Sequence, residues 1–401
     1  MGWWEVSVSS SIAVINAGSS SIKFALCDAS GNADILFRGQ IEGIGVSPRL
    51  KVRDAEGQTV MERAWPVHGF DHETATREIL STGARLASGT PVKGIGHRVV
   101  HGGMNFNAPI RMDRDLLDTL AQLEPLAPLH QPHNLAPIRG IFDAAPHLAQ
   151  VACFDTAFHR SQSQVAQSFA LPRRFGDAGI RRYGFHGLSY EYLVSRWRDL
   201  CPRLASGRVV FAHLGNGASL CGVHQGRSVA STMGFTAVDG LMMGTRCGSL
   251  DAGVVLYLLR EYQMDTAAIE DLIYRQSGLL GVSGISPDMR TLRASADSAA
   301  HEAIDLFVYR IVRETGSMVA ALGGIDAFVF SGGIGENDAA TRMQVMEGCR
   351  WTGAIPDPER NATGEGCISA HKSSIPVWII PTDEERLIAR HTMRILGPDL
   401  T

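Results

Sequence analysis

"VINAGSSSIKFAL", residues 14–26, decides the fold. Apolar residues run up to Ile15, and the small polar turn Gly18-Ser19-Ser20-Ser21 follows. Alternation then resumes at Ile22, Phe24 and Leu26, with Lys23 pointing the other way. Period-two patterning on both sides of a glycine-containing turn predicts a β-hairpin. Such a turn exposes backbone N–H groups. It is either a plain turn or a cradle for phosphate oxygens, to which a lysine adds charge.

The same layout recurs. "IAVINAGSSSIKFALCDASG", residues 12–31, has a partner in "RVVFAHLGNGASLCGVHQGR", residues 208–227. Each reads as strand, small polar turn, alternating strand and turn, so the chain is expected to hold two related halves. Further short apolar strands end at polar or glycine-rich loops near 92–103, 150–159, 326–337 and 377–385. Helical patterns lie between them. Ile304, Phe307, Val308, Ile311 and Val312 fall on one helix face. Strands alternating with helices predict an α/β architecture, with ligands at the strand ends. The proline-containing stretch 123–137 reads as irregular, with helix starts.

Bulk properties narrow the function. At 401 residues, two domains are the expectation. Net charge is −4 without a basic block, which argues against a nucleic-acid partner. No apolar run is long enough for a bilayer, and "MGWWEVSVSSS" lacks a secretory pattern, with Trp3 and Trp4 expected to pack on the body or to belong to an extension. Seven scattered cysteines without a CxxC pair fit a reducing, cytoplasmic setting better than a disulfide framework or a zinc site.

Three small-residue turns follow apolar strands: Gly18 to Ser21, Gly215-Asn216-Gly217, and Gly332-Gly333-Ile334-Gly335. Together they point to a nucleotide site. None has Walker spacing, and the third is not GxGxxG, so a Rossmann site is disfavoured. Arg98 and Arg246 are either surface ion-pair residues or forks for carboxylate and phosphate oxygens. Asp155 either caps the next helix or is a strand-end carboxylate facing a metal or nucleophile. His130, His186 and His213 sit beside turn residues without zinc spacing. Glu384 and Glu385 read as a solvated first helical turn, or Glu384 as a magnesium ligand through water with Glu385 its solvated neighbour.

The stretches "VINAGSSSIKF", "GHRVVHGG", "LAPLHQPHN", "FDTAFH", "RRYGFHGLS", "AHLGNGASL", "STMGFTAVDGLMMGTRCGSLD", "SPDMR", "FSGGIGEN" and "PTDEERLIA" resemble the acetate kinase (acetokinase) family, in the family's order and over nearly the whole chain after about residue 11. That family belongs to the sugar kinase, heat-shock chaperone and actin superfamily. The resemblance implies a duplicated actin-like ATPase fold of ribonuclease H-like halves around a central cleft. The expected domains are 12–154 plus 387–401, and 155–386.

The resemblance also implies roles. Asn16, Ser19, Ser21 and Lys23 belong to the first phosphate-facing hairpin. Arg98 and Arg246 flank the transferred phosphoryl group, His186 bonds its oxygens, and His130 lies by the carboxylate. Asp155 is the active-site aspartate, and Asn16 and Glu384 match the Mg2+ site, with Mn2+ accepted in its place. His213, Leu214, Gly215, Asn216 and Gly217 form the second phosphate loop. Asp288, Met289 and Arg290, with Gly332, Gly333, Ile334, Gly335, Glu336 and Asn337, hold the nucleotide. Val100, Leu129 and Phe185 form the methyl pocket.

Expected substrates are ATP with acetate, and ADP with acetyl phosphate, in a cytoplasmic homodimer without nucleic-acid or membrane partners. The chain departs from the family pattern at Gln131, Ala237, Ser249 and Asp383, where asparagine, proline, aspartate and asparagine are expected. The alternatives are a propionate or other short-chain carboxylate kinase, a sugar kinase with Asp155 as base, and a nucleotide-dependent chaperone or filament protein.

Overall fold

The opening hairpin forms as the alternation requires. β1 (Ser11–Ala17) pairs antiparallel with β2 (Ser21–Asp28), which sets Asn16 directly opposite Lys23. Directly opposed residues share a face of the sheet. The computed structural model describes residues 10–18, 20–87 and 89–397, so the expectations for Ser19, Trp3 and Trp4 lie outside the described residues. The chain divides into two units. The first runs up to Ala157 and resumes at Asp383; the second is Phe158–Thr382. The break expected after Phe154 falls after Ala157, since the Asp155 N–H donates to Val99 O at 3.1 Å and stays with the first sheet. The return falls at Asp383, which caps the final helix through a bond from the Arg386 N–H at 3.1 Å.

In the first unit the hairpin continues as a meander through β3 (Ile35–Glu42), β4 (Arg49–Asp54) and β5 (Thr59–Ala64). β6 (Val92–Val99) lies parallel to β1 on its other side. The short β7 (Ile110–Arg111) closes the edge beyond β8 (Ala149–Phe154), which runs parallel to β6. The sheet order is β5-β4-β3-β2-β1-β6-β8-β7. One face buries Ile15, Ile22, Phe24, Ile41 and Val52 against the helix His72–Leu86 through Ala75 and Ile79. Each such aliphatic or aromatic side chain contributes about 1.5–3 kcal/mol on full burial.

The final helix, Glu384–Leu396, packs on β1 and β6. It fits because two glycines interrupt β6. A Cβ at Gly94 would run into Leu396, and one at Gly96 into Thr392 and Ile388. The segment expected to be irregular contains the helix Gln131–Ala144, which keeps Pro132 in its first turn and Pro137 inside. A first-turn proline costs no intrahelical donor.

The second unit repeats the plan. β9 (Arg208–Leu214), β10 (Ala218–His224) and β11 (Arg227–Ser231) form an antiparallel meander. β12 (Ala327–Ser331) runs parallel to β9. β13 (Gly366–Cys367) is the edge strand beside β14 (Val377–Ile379), which is parallel to β12. The order β11-β10-β9-β12-β14 matches β3-β2-β1-β6-β8 strand for strand, so the duplication read in the sequence extends to the topology of both sheets.

The helix carrying Ile304 and Phe307 spans Ser298–Leu322. Asp297 caps it by accepting from the Ala299 N–H, and Gly323 ends it at φ 70°. All seven cysteines are free. Among the described residues no helix is long and apolar enough to cross a membrane.

Candidate active site

In the first unit the ends of β1, β6 and β8 and the start of the final helix bring four expected residues together. Arg98, at the end of β6, forks onto Asp155 just past β8. Its Nη2 donates to Oδ2 at 2.5 Å and its Nε to Oδ1 at 3.2 Å. Asp155 is 1 % exposed, so this is a buried, two-pronged ion pair rather than a helix cap. Arg98 Nη1 also donates to Asn16 Oδ1 at 3.4 Å, and Asn16 Nδ2 donates to Glu384 Oε2 at 3.5 Å.

Burial pushes the Asp155 carboxyl up to about 6; the Arg98 charge pulls it back and Glu384 pushes it further up. Burial opposes the Arg98 charge too, yet Asp155 and then Glu384 hold its pKa above the ordinary value. Both values are raised, which favours the charged form of Arg98 and disfavours that of Asp155. The two-pronged geometry and a carboxyl value below 7 favour the ionised form at neutral pH.

Further residues of this unit surround the cluster. The Val100 N–H donates to Asn134 Oδ1 at 2.8 Å, and Asn134 Nδ2 donates to Ala17 O at 2.5 Å. Asn134 therefore ties the end of β1 to the end of β6, a role the sequence reading missed although Asn134 closes "LAPLHQPHN". Leu129 and His130 lie half-buried at the start of the helix Gln131–Ala144. The departure Gln131 is buried and brackets His101, accepting from its N–H at 3.2 Å and donating to its carbonyl at 3.1 Å. Asp383 pairs with Arg38 at 2.5 Å besides capping its helix.

Lys23 is exposed on β2 and its charge acts on Glu385. Glu385 is half-buried rather than the fully solvated neighbour expected of it. Burial, and then Glu384, raise its carboxyl above the ordinary range.

In the second unit, the loop after β9 lies beside Gly332–Asn337, which the structure shows as a short helix opening straight after β12 and not as the expected turn. A Cβ on Gly215 would sit 3.7 Å from the Gly333 N. Gly332 has φ 77°, and a Cβ there would stand 2.7 Å from Leu214 O, so only glycine fits this turn. The Glu336 carboxylate turns back to accept from the Gly332 N–H at 2.8 Å and the Thr382 N–H at 3.2 Å.

Gly215, Asn216, Asp288, Met289, Arg290 and Gly333 are among the residues around a groove of about 920 Å³, a size suited to a nucleotide. Asp288 caps the helix Met289–Ala294 and pairs with the exposed Arg290 at 2.5 Å, whose hydrogen bonds hold the carboxyl down at about 2.

His186 precedes the helix Gly187–Leu200 in the left-handed conformation, φ 57°. Its ring lies 4.4 Å from that of His213, centroid to centroid. A Cβ on Gly217 would come within 3.2 Å of His186 Nε2 and 3.8 Å of Arg246 Nη1. The absent side chain of Gly217 thus leaves the space on which an imidazole edge and a guanidinium converge. Phe185 is buried beside His186, and its carbonyl faces His159 Nε2 at 2.8 Å.

Arg246 sits in residues 232–251, a stretch without helix or strand. Backbone bonds hold it: Gly244 N–H to Asn216 O at 3.1 Å, Leu279 N–H to Met243 O at 2.8 Å, and Ser277 N–H to Thr245 O at 3.0 Å. Arg246 Nη1 donates to Ala237 O at 3.0 Å. The departure Ser249 donates to Asp239 Oδ1 at 2.8 Å; an aspartate there would set two carboxylates together.

The chain matches the model of the Acetokinase family over residues 11–390. It is 52 % identical over 388 residues to an acetate kinase of Rhodopseudomonas palustris, covering 95 % of this chain and 97 % of that one. An acetate kinase of Methylocella silvestris is also 52 % identical, over 96 % of this chain and 98 % of the relative. Among solved structures, an acetate kinase of Porphyromonas gingivalis superposes with a TM-score of 0.86 at 35 % identity, over 96 % of this chain and all of that one. A propionate kinase of Francisella tularensis does so with a TM-score of 0.89 at 32 % identity and the same coverage.

Proposed function

The chain belongs to the acetokinase family, and from that premise we propose that it moves a phosphoryl group directly, in line, between ATP and acetate. It is an acetate kinase with the actin-like ATPase fold. A short carboxylate has a pKa of roughly 4–5 and is ionised at neutral pH, so the acceptor needs no general base. The difficulty is bringing an anion to an anionic phosphoryl group. Charge compensation is therefore the main catalytic task.

Arg98, Arg246 and His186 supply it, with Asp155 orienting the Arg98 guanidinium. The observation that carries this reading is the convergence of His186 Nε2 and Arg246 on the open side of Gly217, beside the two glycine loops. The nucleotide is assigned to the groove bounded by Gly215, Asp288, Arg290 and Gly333. His130, Val100, Leu129 and Phe185 are assigned to the acid.

For the metal, no cluster of three or more His, Cys, Asp or Glu exists among the described residues. Magnesium sites on nucleotides use one or two protein oxygens plus phosphates and waters. The adjoining Asn16 and Glu384 fit that donor set. They would hold Mg2+, which supplies positive charge to the phosphates.

The test is ATP-dependent acyl phosphate formation, trapped with hydroxylamine, across a panel of short carboxylates. Acetate should give the hydroxamate. A panel in which no acid reacts while a sugar is phosphorylated would overturn the reading.

A propionate kinase is the second reading, favoured by the structural likeness to such an enzyme and by the small Ala237. The Ala237 carbonyl holds Arg246, and a proline keeps that carbonyl. Ala237→Pro should therefore spare acetate within a few-fold and lose propionate selectively, if position 237 sets chain length. Equal loss of both would assign position 237 to Arg246 alone.

A homodimer is part of the proposal. The helix Ala252–Glu261 is apolar nearly all round, yet none of its residues is buried, and Leu256 and Tyr257 stand 49 % and 57 % exposed. An uncharged face of this kind is best covered by a second copy of itself. Tyr257→Glu should shift the sedimenting species towards monomer.

A further inference from the structure

We propose that Ser219 and Tyr190 are positioning residues that fix the proton of His186 on Nε2, the ring edge facing Gly217. The inference rests on the assignment of His186 to the phosphoryl oxygens and goes beyond it. Three groups form a line: the Tyr190 hydroxyl lies 2.5 Å from Ser219 Oγ, and Ser219 Oγ lies 2.8 Å from His186 Nδ1. Tyr190 and Ser219 are both 0 % exposed, so water cannot complete their bonding.

Counting protons sets the direction. Ser219 Oγ is the hydrogen-bond partner that the buried Tyr190 hydroxyl has in the structure. Its one proton has Ser219 Oγ as acceptor, and any other arrangement leaves a buried O–H unsatisfied. Ser219, having accepted from Tyr190, has one proton of its own, and His186 Nδ1 is the remaining neighbour. If Nδ1 carried a proton and donated to Ser219, the serine would accept twice and its own O–H would be orphaned in the core. Nδ1 is therefore the acceptor, and the neutral ring carries its proton on Nε2.

That nitrogen is 3.2 Å from where a Gly217 side chain would begin, with Arg246 Nη1 beyond. A donor there suits phosphoryl oxygens; a bare lone pair would repel them. The left-handed turn at His186 holds one end of the line, the helix Gly187–Leu200 holds Tyr190 at the other, and β10 holds Ser219 between them.

The experiment uses the whole enzyme labelled with 15N-histidine, with the His186 signals identified by their loss in His186→Gln. In the wild type, Nδ1 should show the shift of a hydrogen-bonded, unprotonated nitrogen, and Nε2 that of a protonated one. In Ser219→Ala the Nδ1 signal should move to that of an unbonded nitrogen or a tautomer mixture. kcat should fall roughly 3- to 10-fold, as for loss of one buried hydrogen bond, with the KM for ATP unchanged. Tyr190→Phe should give the same changes in smaller measure, and Ser219→Thr, which keeps the hydroxyl, should restore both.

An Nδ1–H signal in the wild type, or His186 shifts unmoved in both Ser219→Ala and Tyr190→Phe, overturns the proposal. His186→Gln with near wild-type turnover would instead remove His186 from the chemistry. The nitrogen shifts would still decide the relay.

Discussion

Arg98 and Arg246 have the same side chain but different supports. Arg98 is pinned by a buried carboxylate, whereas Arg246 Nη1 is held by a backbone carbonyl. Substituting alanine for either should lower turnover by roughly 10²–10³, as removal of a preorganised charge donor does. Lysine should rescue poorly, because it has no planar fork to match Asp155 or phosphate oxygens. Acyl phosphate formation by the folded variants measures this, and a rate within twofold of wild type would take that arginine out of the mechanism. Glu384→Ala should chiefly raise the Mg2+ concentration needed for half-maximal rate. Glu385 is a poor blank for that titration, because the Glu384 charge acts on its carboxyl. Asp28, whose side chain closes on Ser30 at an exposed turn, serves better.

At the scale of elements, the glycine turn expected after β12 is itself the six-residue helix Gly332–Asn337, too short to hold itself. Arg342 holds it. This residue is 1 % exposed; its Nη1 donates to Gly335 O at 3.0 Å and to Glu336 O at 2.9 Å. Its Nε and Nη2 donate to Asn361 Oδ1 and O at 2.8 and 2.6 Å. A cation at a helix C-terminus complements the backbone dipole there. Arg342→Met should leave those carbonyls unsatisfied and lower stability by roughly 1–3 kcal/mol. It should also raise the KM for ATP more than it lowers kcat. Urea unfolding together with nucleotide titration separates the two effects, and a stable variant with an unchanged KM would deny Arg342 this role. Nothing in the local sequence "TRMQV" announces it, because the bonds cross to Asn361 and back to a turn six and seven residues earlier.

For the molecule as a whole, acid should be destabilising. Burial holds His97, His101 and His159 down at about 4, against an ordinary 6.5. A histidine with a depressed folded pKa contributes stability that is complete above 6.5 and is lost as the pH falls towards 4. Asp155 acts in the opposite sense. Its raised value means a contribution that is full below the unfolded value of 3.8 and is lost as the pH rises through about 6. Three buried imidazoles outweigh one carboxyl, so unfolding midpoints should fall from pH 6.5 to 4. His97→Gln should flatten that slope. A midpoint that rises over the same range would show the carboxyl dominant.

The strand layout, the duplication and the loop glycines were legible in the sequence because they are local and periodic. Asn134, Ser219, Tyr190 and Arg342 were not. Each acts through partners far away in the chain or through burial, which residue spacing does not reveal.

The slot made by Gly94 and Gly96 has a consequence for synthesis. The sheet of the first unit is translated early, yet the helix that fills this slot, Glu384–Leu396, follows the whole of the second unit. At ribosomal speeds of about 5–20 residues per second, the bare strands β1 and β6 wait roughly ten seconds or more for their cover. The second unit, whose residues are contiguous, needs nothing from beyond Thr382, while the earlier-made first unit cannot be completed without the final helix. A free chain cut off after Thr382 should therefore show a protease-resistant second unit and a first unit that is still cleaved. Chaperones that shield exposed strands should engage the N-terminal part of the chain until release.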